Sequence, residues 1–148
     1  VVSIEMIEAV GESYWPSYFG KIYEVLKPNG RAGIQAITIA NERFQAYRVN
    51  TDFIQQFIFP GGMLLSPEIL DQQASSANLA VVDAFDFGRD YAETLRRWRT
   101  AWESEKATIS EQGFDEKFMR IWRLYFVYCE AGFDGGKTDV VQFLLHKD

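Results

Sequence analysis

Apolar and polar positions follow two periods along this chain, and the changes of period mark its elements. Val1 to Met6 is a short, mostly apolar run, of the kind a strand buried on both faces shows. From Tyr14 to Leu26 the residues Trp15, Tyr18, Phe19, Ile22, Val25 and Leu26 recur three and four apart, which predicts a helix. Pro28 and Gly30 end it and turn the chain. Arg31 to Ile39, with Ile34, Ala36, Ile37 and Ile39 as its apolar content, reads as a second strand. Strand, helix, strand in this order implies a parallel pair joined by a right-handed crossover.

Asn41 to Phe59 is helical in pattern and crowded with Phe44, Tyr47, Phe53, Phe57 and Phe59 before Pro60-Gly61-Gly62. Ser66-Pro67-Glu68 is a helix start, with a capping serine, a proline at the first helical position and an early acid. That helix should end near Asn78, and Leu79 to Phe87 forms a third strand. Two longer helices follow: Tyr91 to about Thr108 with Leu95, Trp98 and Trp102 inward, and Phe114 to Ala131 with Phe118, Ile121, Trp122, Tyr125 and Tyr128 inward. Asp139 to His146 closes the chain as a fourth strand, with His146 at an edge or exposed strand end. Four strands alternating with helices predict one α/β unit over residues 1–148, without repeat or linker. No glycine-rich loop follows any strand, because Gly61-Gly62 follows a helix and Gly135-Gly136 precedes the last strand. A cofactor needing such a loop cannot be held whole by these residues.

Composition narrows the partners. The chain has 148 residues, 47% hydrophobic and 24% charged, enough for one domain with a real core. No apolar run approaches the roughly 20 residues that cross a bilayer, and a soluble, cytoplasmic protein is expected. The single Cys129 excludes an intrachain disulfide and a cysteine-rich zinc site. A net charge of −6 argues against nucleic acid, which draws on clustered Lys and Arg. Arg96, Arg97, Arg99, Arg120 and Arg123 are the local exception. Glu93, Glu103 and Glu116, each four residues from Arg97, Arg99 and Arg120, favour a salt-bridged helix face over a lipid-phosphate patch.

Several residues could carry chemistry. Glu8 sits just past a strand end, where open α/β sheets present functional groups; the alternative is a helix-start acid complementing the macrodipole. Glu5 and Glu12 share the region, but three acids without a companion His or Asp define no metal site. Tyr91 follows Phe87-Gly88-Arg89-Asp90 after the third strand, where its phenol could reach the same crevice or be a half-buried helix-start tyrosine. Cys129 lies on an apolar helix face with no base nearby in sequence, so a buried structural thiol is expected. His146, the one histidine, lies too near the end to serve a Ser or Cys hydrolase. The aromatic stretch Phe44 to Phe59 reads first as core. Twelve Phe, seven Tyr and four Trp nevertheless exceed what this sheet needs, and an apolar pocket or tunnel suited to a long acyl chain is expected.

These segments together resemble the cyclopropane fatty acid synthases and the related mycolic acid cyclopropane synthases. The likeness runs through Ser3-Ile4-Glu5-Met6-Ile7-Glu8-Ala9-Val10-Gly11 and Leu26-Lys27-Pro28-Asn29-Gly30. It continues through Thr51-Asp52-Phe53-Ile54-Gln55-Gln56-Phe57-Ile58-Phe59-Pro60-Gly61-Gly62 and Phe87-Gly88-Arg89-Asp90-Tyr91. It ends with Tyr128-Cys129-Glu130-Ala131-Gly132-Phe133 and Asp139-Val140-Val141-Gln142-Phe143. The Leu-Lys-Pro-x-Gly turn is common to many methyltransferases, whereas the stretch ending Ile-Phe-Pro-Gly-Gly is specific.

The resemblance implies a class I S-adenosylmethionine-dependent methyltransferase fold, Rossmann-like, with this chain as its C-terminal part and the cofactor-binding N-terminal half outside it. One wall of the cofactor site would remain at Ile4 and Glu5, and the chain alone is expected to be inactive. The implied reaction is methyl transfer to the cis double bond of a phospholipid acyl chain at the inner face of the membrane, followed by proton loss and ring closure. Branched-methyl, hydroxylated or N-methylated products are alternatives, as is a non-catalytic lipid-binding module. In the family the proton acceptor is a bound bicarbonate, and its ligands fall on Glu8, Tyr91, Gln35 and the backbone of Ile37. Gln35 stands where the family has histidine, and glutamine carries neither charge nor proton. The family's cysteine, long proposed as catalytic, falls on Cys129, and Asp134 stands where relatives have arginine. Phe53, Phe57 and Phe59 would line the acyl pocket. An exposed strand edge at the chain's first strand implies a homo-oligomer.

Overall fold

The computed structural model describes residues 1–148. In chain order the elements are β1 (Val2–Ile4), α1 (Ile7–Val10), a 3-10 turn (Glu12–Tyr14), α2 (Trp15–Val25), β2 (Arg31–Ile39), α3 (Asn41–Val49), α4 (Phe53–Phe57), α5 (Pro67–Ser76), β3 (Ala80–Asp86), α6 (Gly88–Ser104), α7 (Lys106–Glu111), α8 (Glu116–Asp134) and β4 (Thr138–His146). Side chains set several of these boundaries. Pro16 opens α2, Ser66 Oγ accepts from the Ile69 amide at 3.3 Å to cap α5, and Asp115 Oδ1 accepts from the Phe118 amide at 2.7 Å to cap α8.

The four strands form one sheet in the order β1-β2-β4-β3. β1 pairs parallel to β2, with Val2 opposite Gly33 and Ile4 opposite Gln35, as the crossover through α2 requires. β4 runs antiparallel to both neighbours, with Ile39 opposite Thr138 and Phe85 opposite Gln142. The last strand is therefore internal rather than an edge. Val140, Val141, Phe143 and Leu145 are all buried, so both of its faces are covered. His146 pairs opposite Arg31 and Ala80, inside the sheet, with its Nδ1 3.2 Å from an Asp148 oxygen.

Helices cover the two faces. α2 and α5 bury Trp15, Phe19, Ile22, Leu70 and Ala74 against Ala32, Ile34, Ala36, Phe143 and Leu145. On the other face α6 and α8 bury Ala92, Leu95, Phe126 and Phe133 around Val140, with Ile37, Tyr91, Tyr125 and Cys129 at the margin. Because α6 and α8 pack mainly on each other, each buries a narrow stripe. Leu95 is buried as expected, but Trp98 and Tyr128 are half-exposed, and Phe126 and Phe133 are the buried aromatics of α8.

The stretch expected as one helix from Asn41 to Phe59 is two. Asp52 Oδ1 accepts from the Gln55 amide at 2.9 Å, and Gln55 Oε1 accepts from the Asp52 amide at 3.0 Å. This reciprocal capping box ends the extended turn after Asn50 and starts α4 anew.

Candidate active site

The site lies beyond the carboxyl end of β1, where the backbone turns through Glu5 in the left-handed region at φ +49°. The Glu5 amide still donates to the Gln35 carbonyl at 2.8 Å, so this bend holds the Glu5 side chain over β2. Its carboxylate is gripped on both oxygens. Gln35 Nε2 donates to Oε1 at 2.8 Å, and the Tyr91 hydroxyl, from the first turns of α6, donates to Oε2 at 3.3 Å. Gln142 lies opposite Gln35 in the β2–β4 ladder and donates its own amide to Gln35 Oε1 at 3.0 Å. That contact turns the Gln35 NH2 group toward Glu5.

Glu8, on α1, reaches across to the neighbouring strand. Its Oε1 accepts from the Ile37 backbone N–H at 2.6 Å, while its Oε2 is buried without a hydrogen-bond partner. Burial pushes its carboxyl above the usual carboxylate range; the Ile37 and Glu8 amides pull against that shift and the charge of Glu5 adds to it. Glu8 is also the pivot for the Pro60-Gly61-Gly62 turn, because its carbonyl accepts from the Met63 amide at 2.8 Å. Gln55 Nε2 closes the same turn on the Gly62 carbonyl at 3.0 Å.

Burial, followed by the charge of Glu5, pushes the Tyr91 phenol up to about 12, so it is a donor at neutral pH. Its ring packs edge-on to Phe133 and Trp98. Burial likewise pushes the Cys129 thiol up to about 12, beside Tyr125, whose phenol is also raised by burial. Cys129 is a thiol, not a thiolate, at neutral pH.

An aromatic wall continues from this small core. Phe59 packs edge-on to Tyr125, Phe53 contacts Phe57 and Tyr128, and the Tyr128 hydroxyl lies 3.4 Å from Asp52 Oδ2. The wall is open: Phe57 is 55% and Phe59 53% exposed. The expected apolar pocket or tunnel is represented here by this open wall; two further concave surfaces lie between α7 and α8 around Phe114 and Arg123, and along α6.

Four predicted positions, Glu8, Gln35, Ile37 and Tyr91, thus come together with Glu5 at one strand end. Ile4 stands beside them, 55% exposed. Gln142 was missed, since only the pairing of β2 with β4 puts it opposite Gln35. No group of three His, Cys, Asp or Glu side chains is arranged to hold a metal. The arginines of α6 are engaged across the helix pair: Arg96 with Asp134 at 2.8 Å, Arg99 with Glu130 at 3.2 Å. Arg99 does not pair with Glu103, which instead meets Lys106 and Arg123. Asp134 is a partner for Arg96.

Bicarbonate does not fit these donors as they stand. The Ile37 N–H is taken by Glu8, and the Gln35 amide and Tyr91 hydroxyl are taken by Glu5. A bound anion would face two carboxylates.

Comparisons with known proteins agree on the relatives. The family model of mycolic acid cyclopropane synthetase matches residues 1–143. The tuberculostearic acid methyltransferase UfaA1 of Mycobacterium tuberculosis is 44% identical over all of this chain, and the chain spans 35% of that relative. The cyclopropane-fatty-acyl-phospholipid synthase of Escherichia coli is 30% identical over 90% of the chain, which covers 33% of it. Among solved structures, mycolic acid cyclopropane synthase CmaA1 complexed with SAH and CTAB superposes with a TM-score of 0.87 at 26% identity, covering 99% of this chain and 54% of that one. The chain therefore spans about a third of these curated relatives and about half of that structure.

Proposed function

The chain belongs to the mycolic acid cyclopropane synthetase family, and from that premise we propose that the intact protein transfers the methyl group of S-adenosylmethionine to the cis double bond of a lipid acyl chain. The observation that carries this reading is the carboxylate pair Glu5 and Glu8, fixed by Gln35, Tyr91 and the Ile37 amide beside an open aromatic wall.

The residues present fit one side of a sulfonium cofactor's site. Exposed Ile4 offers apolar contact, and two nearby carboxylates attract a cation. When bound, S-adenosylmethionine supplies an electrophilic methyl group. This chain's residues then have three tasks. Phe53, Phe57 and Phe59 hold the acyl chain and keep out water, which would trap a cationic carbon as an alcohol. Their ring faces, with those of Tyr125 and Tyr128, favour positive charge on the substrate. The carboxylates complement that charge and stand ready for the proton that leaves. Cys129 contributes packing, since its thiol keeps its proton.

Ring closure to a cyclopropane on a membrane phospholipid is the first reading of the product. A methyl-branched product is the second, favoured by 44% identity to a protein described as a methyltransferase. The substrate would be met at the inner membrane surface by a homo-oligomer; no helix of this chain is long and apolar enough to cross a membrane. The test is incubation of the full-length protein with methyl-labelled S-adenosylmethionine and unsaturated phospholipid vesicles. Label in the acyl chains is expected, and its absence sinks the proposal. Catalytic hydrogenation before mass spectrometry separates a ring from an alkene bearing a new carbon.

A further inference from the structure

The donors that a proton-accepting anion would use are already occupied by a carboxylate of the chain itself. Gln35 Nε2 lies 2.8 Å from Glu5 Oε1 and the Tyr91 hydroxyl 3.3 Å from Glu5 Oε2. Gln142, fixed opposite Gln35 in the sheet, holds the amide in that orientation at 3.0 Å. Glu5 is there because the backbone turns left-handed at that residue, a conformation that is strained for a non-glycine side chain. The strain places a charged group, half-buried, among donors drawn from β2 and α6. Glu8 meanwhile takes the Ile37 amide. The Tyr91 hydroxyl, the Ile37 amide and one N–H of Gln35 are thus engaged by the chain's own carboxylates.

We propose that the Glu5 carboxylate is the proton acceptor of this site, built into the chain in place of a diffusible bicarbonate. The inference rests on the methyl-transfer reading above. The step balances without another reactant. A C–H bond of the transferred methyl group breaks, its electron pair forms the new carbon–carbon bond to the cationic carbon, and the proton moves to a Glu5 oxygen. Glu5 then releases the proton to water. Loss of this proton is coupled to the new bond that quenches the cation, so a fixed position matters more than a strong base. Gln35 and Tyr91 act as positioning residues, donating to the carboxylate while the cation is present. A glutamine suffices where the acceptor already carries its own charge.

The experiment uses the full-length protein in buffer freed of carbon dioxide. Adding bicarbonate should change wild-type lipid methylation by less than about twofold, and Glu5→Gln, nearly isosteric but unable to accept the proton, should lower turnover by about a hundredfold or more. Glu5→Gly relieves the left-handed strain and frees the Gln35 and Tyr91 donors, so its residual activity should rise on adding bicarbonate or formate. A readout independent of activity accompanies it: bicarbonate should raise the melting temperature of Glu5→Gly and leave the wild type unmoved. Wild-type turnover that collapses without bicarbonate, wild-type melting that rises with it, or Glu5→Gln that keeps its turnover would each overturn the proposal. A wild type that methylates no lipid removes the underlying reading instead, and the pair of melting curves still decides whether Glu5 fills the anion's place.

Discussion

Burial, more than charge pairing, sets the chemistry of the individual side chains around the site. Cys129 shows it most simply. Its thiol rises from the ordinary 9.0 to about 12 because burial disfavours a thiolate; the Tyr125 hydroxyl pulls against that shift and the charge of Asp52 adds to it. At pH 8 the thiolate fraction should fall about a thousandfold below that of a free cysteine, and alkylation by iodoacetamide should slow in proportion. Mass spectrometry of the native and urea-unfolded protein measures this, and equal rates would show an exposed, reactive thiol. Glu8 carries the opposite burden, a charge held where the carboxyl prefers its proton. With its folded pKa above the unfolded value, its contribution to stability is fully present below the unfolded pKa, and is lost as pH rises through the folded one. Glu8→Gln keeps an oxygen for the Ile37 amide and removes the charge. The variant should melt above the wild type at pH 7, and that advantage should shrink as pH falls through the raised folded value and level off below about 4.5, the ordinary carboxyl value. An advantage that grows in acid would mean that the carboxylate is stabilised in place.

At the scale of elements, the β3–α6 turn holds Tyr91 in position. The Gly88 amide donates to Asp139 Oδ1 at 2.7 Å, and a Cβ on Gly88 would lie 2.5 Å from that oxygen and 3.1 Å from the Asp139 Cα. Gly88→Ala should therefore force α6 away from the start of β4, costing about 1–3 kcal/mol, or several degrees in melting temperature. The shift would pull the Tyr91 hydroxyl from Glu5. Scanning calorimetry checks the first effect, and an unchanged melting temperature would mean that the turn has room to give. Most elements are legible from apolar spacing: Trp15, Phe19 and Ile22 mark the buried stripe of α2, and Ser66-Pro67 marks the start of α5. The break at Asp52 lay in an Asp-x-x-Gln signal that the continuous aromatic pattern hides. The place of β4 is hidden for another reason. An apolar run states that a strand is buried but not which neighbours bury it, so neither the seat of His146 nor the Gln142–Gln35 contact follows from spacing. Glu8 and Tyr91 could be read as site residues from strand ends and motif. Glu5 could be read as a neighbour of Glu8 and, from the resemblance, as part of the cofactor wall, but not as the partner of Gln35, because that grip comes from the parallel register of β1 on β2.

For the whole molecule, the two edges of the sheet differ in how they meet water. β3 carries Asp83 and Asp86, and its register shifts between Val81 and Asp83, so charge and irregularity discourage another strand from pairing there. The outer edge of β1 has no such protection. Val2 is 77% exposed, Ile4 stands beside it, and no charged side chain occurs from Val1 to Ile4. Its outward backbone groups offer a template to a second strand. The 148-residue chain should therefore self-associate through β1, with a sedimentation-equilibrium mass above the 17.0 kDa monomer that rises with concentration. Val2→Lys places a charge on that edge without touching Glu5, Glu8, Gln35 or Tyr91, and should return the mass toward the monomer. If the variant associates as strongly as the wild type, the contact lies elsewhere, on the open wall of Phe57 and Phe59. A strictly monomeric wild type would show that an edge of three residues is too short to recruit a partner.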